Sequence, residues 1–119
     1  MRVMIVDDSK TARLILKKVM PAVLLADVVE AAGGQEAIAR CQSERIDLMF
    51  LDLTMPDLSG YEVLENLKTR GAVPPTVVVS ADAQPLARER VQAMGALAFV
   101  KKPPSRDEIE RVLREVGLL

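Results

Sequence analysis

The chain has 119 residues, half of them apolar, and its 16 basic and 17 acidic side chains leave a net charge of −1. That length fits one domain able to close a single core without metal or disulfide, and no apolar run approaches the roughly 18 to 20 residues of a membrane span. A near-neutral balance with only Phe50, Tyr61 and Phe99 aromatic excludes a phosphate-backbone footprint and a base-stacking platform, so no direct nucleic-acid binding is expected.

Val3-Met4-Ile5-Val6 is a β-branched strand pattern that begins at once, without a signal-peptide apolar region, so the chain is expected to start at its native end. It ends in Asp7-Asp8, and Ser9 opens a helix whose apolar positions are Ala12, Leu16, Val19 and Val23, with Pro21 expected to kink or end it. Asp27 to Ala31 is less apolar and reads as a strand nearer the sheet edge. Gly33-Gly34 punctuates, and Ala37, Ile38 and Cys41 give the next helix its inner face. Cys41 is the only cysteine, which excludes an internal disulfide, suggests a reducing cytoplasm and reads as a small buried hydrophobe.

Leu48-Met49-Phe50-Leu51 is a strand buried on both faces that delivers Asp52 to its end, and Pro56 and Gly60 mark the loop that follows. Ser59-Gly60-Tyr61-Glu62 has the form of a capping box ahead of Val63, Leu64 and Leu67. Thr76 to Ser80 is a fourth buried strand, followed by a helix near Pro85 with Ala87, Val91 and Met94 inward. Leu97 to Val100 is the fifth strand, closed by Lys101-Lys102-Pro103-Pro104. Ser105 to Glu108 is a second capping box before Ile109, Val112, Leu113 and Val116.

Strict alternation of strand and helix, with strands too apolar for a one-sided sheet, predicts an α/β fold over residues 1–119 as a single domain. The favoured topology is a doubly wound, five-stranded parallel sheet of order 2-1-3-4-5, flavodoxin-like, with five helices on its two faces.

The chain holds no histidine, which removes Ser-His-Asp and Cys-His nucleophile pairs and histidine-ligated zinc. Chemistry must rest on carboxylates, hydroxyls and lysine. Asp7, Asp8, Asp52, Ser80, Lys101 and Lys102 all fall at carboxyl ends of predicted strands, the edge at which open parallel sheets bind ligands. Three converging carboxylates repel one another unless a cation compensates, and Mg2+, which keeps several waters and takes one or two carboxylates, suits Asp8 and Asp52 with Asp7 acting through water. A carboxylate beside a divalent metal, with an ammonium and a hydroxyl set to meet an oxyanion, is apparatus for phosphoryl transfer to a carboxylate.

Five separated motifs then stand in order: Val6-Asp7-Asp8-Ser9, Leu51-Asp52-Leu53-Thr54-Met55-Pro56, Gly60, Ser80-Ala81 and Lys102-Pro103. With them the chain resembles a response-regulator receiver domain of two-component signalling, and in length the single-domain chemotaxis regulators. The resemblance implies that Asp52 is the phosphoacceptor, taking a phosphoryl group from a phosphohistidine on a partner histidine kinase. It implies Mg2+ held by Asp8, Asp52 and the Thr54 main-chain carbonyl, with Asp7 on metal-bound water. Lys102 would pair with a phosphoryl oxygen from before a cis proline, with Lys101 the weaker candidate because adjacent strand residues face opposite ways. Ser80 would sense the phosphoryl group, Ala81 leave space beneath, and Phe99 fit the aromatic switch, unless it is ordinary core packing. Thr54 and Asp82, each two residues beyond an anchor, would tune how readily water attacks the phosphoryl group.

The output would then be a downstream protein target or output domain, reached through the fourth helix, fifth strand and fifth helix, by a cytoplasmic protein with no membrane contact. A stand-alone regulator is favoured, with a chemotaxis or transcription-linked output; it is expected to be a monomer or a phosphorylation-dependent dimer, and no enzyme beyond its own phosphorylation and dephosphorylation. Three other readings compete: a phosphatase of the haloacid-dehalogenase kind, which usually needs an aspartate where Thr54 stands; a flavodoxin-like flavin binder, lacking here its Ser/Thr-rich phosphate loop; and a degenerate receiver acting only as a docking surface.

Overall fold

Runs as apolar as Val-Met-Ile-Val and Leu-Met-Phe-Leu find no water-facing side to expose, and they pair as the inner strands of a parallel sheet. In the computed structural model, which describes residues 1–82 and 84–119, β1 (Val3–Val6), β2 (Val28–Ala31), β3 (Leu48–Leu51), β4 (Thr76–Ser80) and β5 (Ala98–Lys101) form one sheet of order β2-β1-β3-β4-β5. The helices are α1 (Lys10–Val19), α2 (Gly34–Ser43), α3 (Gly60–Thr69), α4 (Ala87–Ala93) and α5 (Arg106–Glu115). The expected doubly wound sheet is therefore the fold. Among the described residues no helix is long and apolar enough to cross a membrane.

The period of two along each strand divides the core into two layers. Met4, Val6, Met49, Leu51 and Val78 face α2, α3 and α4, meeting Ala37, Val63, Leu64, Leu67 and Val91. Val3, Ile5, Leu48, Phe50, Val77 and Val79 face the other way, onto Leu16 of α1 and Ile109, Val112 and Leu113 of α5. Each such side chain contributes about 1.5–3 kcal/mol by leaving water. The sheet edge carrying the polar residues is thus set between two packed layers that hold its strands in register.

Three local expectations are corrected or sharpened. Val23 is 70% exposed, not on an inner face. α1 stops at Val19, and Pro21, which lacks an amide proton, begins a 3-10 turn over Ala22–Ala26 whose tighter winding turns Leu24 inward instead. The capping box at Ser59 is complete, with the Ser59 side chain accepting from the Glu62 amide and the Glu62 side chain accepting from the Ser59 amide. At Ser105 only the first half forms, Oγ accepting from the Glu108 amide. Pro85 lies in the turn ahead of α4, which begins at Ala87 and buries only Ala87 and Val91.

One tie between loops was not visible in the sequence. The N-terminus of α2 has Gly33 as its cap residue and no side chain of its own to offer. Asp57, from the loop after β3, fills that role: Oδ1 accepts from the Gly34 amide at 3.0 Å and Oδ2 from the Gln35 amide at 2.9 Å. A Cβ on Gly33 would lie 2.9 Å from the Asp57 carboxylate oxygens, so a side chain there would push the carboxylate off the two amides. The Gln35 and Gly34 amides hold the Asp57 carboxyl below its ordinary range.

Candidate functional site

The parallel ladder runs one residue past β1 and β3, and this sets the acidic residues side by side. The Asp7 amide donates to the Ala31 carbonyl at 3.1 Å, and the Asp52 amide to the Val6 carbonyl at 3.0 Å. Asp7 and Asp52 are 5% and 6% exposed, Asp8 faces solvent, and one carboxylate oxygen from each lies within 4.8 Å of the others. The Asp7 carboxylate is aimed by the Ser9 amide, which donates to its Oδ1 at 2.9 Å. Burial, and next the charge of Asp7, push the Asp52 carboxyl above its ordinary range, while Lys102 and the Thr54 and Leu53 amides hold it back. A hard divalent cation fits this donor set, because it would relieve a repulsion the chain leaves partly uncompensated.

Lys102 supplies the one ammonium in contact with these groups among the described residues. Its Nζ lies 2.7 Å from Asp7 Oδ2 and 3.5 Å from Asp52 Oδ2, with the lysine side chain 23% exposed. The Lys102 amide donates to the Ser80 carbonyl at 2.9 Å, which fixes its backbone against β4, and its bond to Pro103 is cis. Burial opposes the ammonium's charge, but the hydrogen bond to Asp7 and the charges of Asp52 and Asp7 prevail and raise its pKa above the ordinary lysine value. Lys101, one residue earlier, is exposed.

Asp52, Thr54, Ala81, Asp82, Gln84 and Lys102 line an open cleft of about 530 Å³. Thr54 and Ala81 are exposed on its rim, so residues that follow strands 3, 4 and 5 meet there, and Asp7 at the end of strand 1 joins them through its ion pair with Lys102. Ser80 is 1% exposed, and its Oγ accepts from the Asp82 amide at 3.1 Å. Phe99 is 7% exposed and packs in the core layer that also holds Val78, Ala87 and Val91, with the Arg88 guanidinium 5.3 Å from its ring centre. In this arrangement the ring lies inside.

Sequence reasoning passed over three residues around the cleft. Arg13 of α1 donates to the Asp7 carbonyl and, at 2.8 Å, to Glu30 Oε1, tying α1 to the loop after β1. Its side chain is 13% exposed, and the sequence offers for it only a cation four residues past the Ser9 cap. Tyr61 donates to Asp82 Oδ2 at 3.4 Å and carries the Arg90 guanidinium 3.8 Å from its ring centre. Burial, then the charge of Asp82, raise its phenol pKa. Asp57 is the third.

Gly60 had been singled out, and its reason is steric. A Cβ there would meet the Asp52 carbonyl oxygen at 2.5 Å and the Leu53 Cα at 2.9 Å, so α3 starts directly against the backbone of the acidic loop. Gly60→Ala is expected to cost about 1–3 kcal/mol in urea unfolding, the usual range for forcing extra volume into a packed site. Stability equal to wild type would show that the loop yields without strain.

Comparison with known proteins follows the same lines. Residues 3–114 match the response regulator receiver domain family. The chemotaxis protein CheY of Bacillus subtilis is 30% identical over 109 residues, covering 91% of this chain and 90% of that protein. A probable transcriptional regulator, ycf27, of Porphyridium aerugineum is 32% identical over 115 residues; the match takes in 97% of this chain but only 47% of that longer protein. Among solved structures, one chain of the CheX-CheY-BeF3-Mg+2 complex from Borrelia burgdorferi superposes with a TM-score of 0.89 at 26% identity, over 99% of this chain and 90% of that one. By its sequence, its sheet order and the ordered motifs along one sheet edge, the chain belongs to the response-regulator receiver domain family of two-component signalling.

Proposed function

We propose that residues 1–119 form one receiver domain, in which Asp52 takes a phosphoryl group from a phosphohistidine of a partner kinase. The observation that carries this reading is a buried carboxylate at a strand's lip, raised in pKa, with Asp7, Asp8 and Lys102 gathered around it. Asp8, Asp52 and the Thr54 main-chain carbonyl would hold Mg2+, with Asp7 on its water; the ion would neutralise the charge that gathers on the transferring group. An Asp52 oxygen attacks phosphorus as the P–N bond breaks, and the bonding pair stays with the partner's imidazole. Lys102 moves its ammonium from Asp7 toward a phosphoryl oxygen, and the Ser80 hydroxyl donates to another.

These shifts bias the surface of α4, β5 and α5 between two populations, and a downstream protein or output domain reads the difference. Thr54 and Asp82 border the phosphoryl position and set how readily water reaches it, while Ala81 leaves room for the turn to close. With Phe99 already inward, the response runs through α4 and the turn before it more than through rotation of that ring. The domain acts in the cytoplasm, as a monomer or a phosphorylation-dependent dimer, and promotes no reaction beyond its own phosphorylation and dephosphorylation.

Intact mass after incubation with a small phosphodonor and Mg2+ tests the assignment. One phosphoryl adduct is expected, absent with a metal chelator and absent in Asp52→Asn. A wild-type chain that takes no adduct from any donor, or an adduct that persists in the variant, would overturn it.

A further inference from the structure

Between the cleft and α4, Tyr61 and Arg90, which the proposed transfer does not use, are linked to Asp82 and Ser80, which it does. Tyr61, in the first turn of α3, is the only tyrosine of the chain. Its hydroxyl engages one oxygen of Asp82, and the other accepts from the Gln84 amide at 2.9 Å. The Asp82 amide donates to Ser80 Oγ at 3.1 Å, so the sensing oxygen is occupied from within its own turn. Arg90 covers the Tyr61 ring and ties the same tyrosine to α4. A hold of this kind matters here, because α4 has seven residues, no side-chain cap at its start, and only Ala87 and Val91 buried.

We propose that Tyr61 is a positioning residue: by holding Asp82 it latches the β4–α4 turn in the arrangement that keeps Ser80 Oγ on the Asp82 amide, and the latch opens when Ser80 turns to a phosphoryl group on Asp52. The proposal rests on the phosphoryl-acceptor reading above. Ser80 has a single side-chain oxygen, so rotating it toward Asp52 either abandons the Asp82 amide or carries the turn with it. Carrying the turn inward draws Asp82 away from the Tyr61 hydroxyl, which is fixed on α3. On that second course the phenol hydrogen bond belongs to the unphosphorylated arrangement alone. A contact made in only one of two states shifts their balance by its own worth. Tyr61→Phe deletes that contact while leaving a ring for Arg90 to cover.

Beryllium fluoride with Mg2+, a stand-in for the phosphoryl group, reads the balance. Tyr61→Phe is expected to tighten its binding roughly two- to fivefold, the lower end of what a hydrogen bond contributes, because this one is long at 3.4 Å and only part-buried. In an Asp82→Ala background the same substitution should change nothing, since the latch has already lost its catch. Equal affinity of Tyr61→Phe and wild type, or a shift that persists undiminished in Asp82→Ala, overturns the proposal. Near-ultraviolet titration of the lone phenol reads the contact in the unmodified protein: Asp82→Ala should lower its midpoint, and an unmoved midpoint also overturns it. Failure of the underlying reading looks different, because wild type and every variant would then bind no beryllium fluoride while the phenol midpoint still responded to Asp82→Ala.

Discussion

Lys102→Met is expected to slow phosphorylation of Asp52 by a small phosphodonor roughly hundredfold, the scale of losing one preorganised donor to a developing oxyanion. The same change should lower stability in metal-free buffer by about 2 kcal/mol. Breaking a fully buried pair costs more than that, but the lysine side chain is 23% exposed and solvent screens part of the interaction. What remains in the variant is two carboxylates, each with its side chain 7% exposed, facing one another without the ammonium between them. Mg2+ should restore much of the lost stability and little of the lost rate, because the ion replaces the counter-charge and not the hydrogen bond.

The pH dependence of this deficit has a definite sign. Lys102 has a raised pKa, so its stabilisation is fully present below the ordinary lysine value and is lost as pH rises through the folded-state value. On the acid side the deficit should shrink as the exposed repulsion is removed by protonation of Asp52, whose pKa already lies above its ordinary range. Urea unfolding of both proteins with chelator, at several pH values and again with Mg2+, measures all of this. A variant as stable as wild type in chelator would contradict it.

Asp52→Asn is expected to raise metal-free stability while abolishing the phosphoryl adduct. Burial and the charge of Asp7 raise the Asp52 pKa, so the folded chain binds that proton more tightly than the unfolded chain does. The resulting penalty is full above the folded-state pKa and fades as pH falls toward and below the ordinary carboxylate value. Asparagine keeps the shape and removes the charge. Its midpoint should therefore exceed wild type by a few degrees at neutral pH in chelator, with the two curves converging in acid. Added Mg2+ should reverse the order, since a ligand of the folded state stabilises by mass action and the variant has lost one ligand. Scanning calorimetry with and without Mg2+ is the measurement. An asparagine variant that unfolds below wild type in chelator would mean that Lys102 outweighs burial and Asp7 together.

The legibility of this chain followed the physics of its parts. Leu48 to Leu51 and Val3 to Val6 were readable because strands buried on both faces leave continuous apolar runs, and Asp52 was readable because it interrupts one. Val23 was misplaced because helical spacing continues on paper through Pro21, where the chain changes to a tighter turn. Arg13 escaped because its partner is the Asp7 carbonyl, and a main-chain acceptor carries no side-chain identity. Asp57 with Gly34 and Gln35, and Tyr61 with Asp82, are contacts between segments 21 to 23 residues apart, fixed only once α2, α3 and the β4–α4 turn are packed on the sheet. Phe99 shows a further limit: both a switch and a core position were legible for it, and sequence alone does not choose between them, because an aromatic on β5 suits either.

Asp57 also makes the molecule its own reporter. The Gly34 and Gln35 amides have as acceptor a carboxylate carried by the loop that follows Asp52. Their deuterium uptake therefore runs on the opening of that loop, not on fraying of the helix they begin. Two amides at the start of α2, on the same sheet face as α4, thus keep time for the acidic loop, and an exchange experiment can follow the site without placing a label in it.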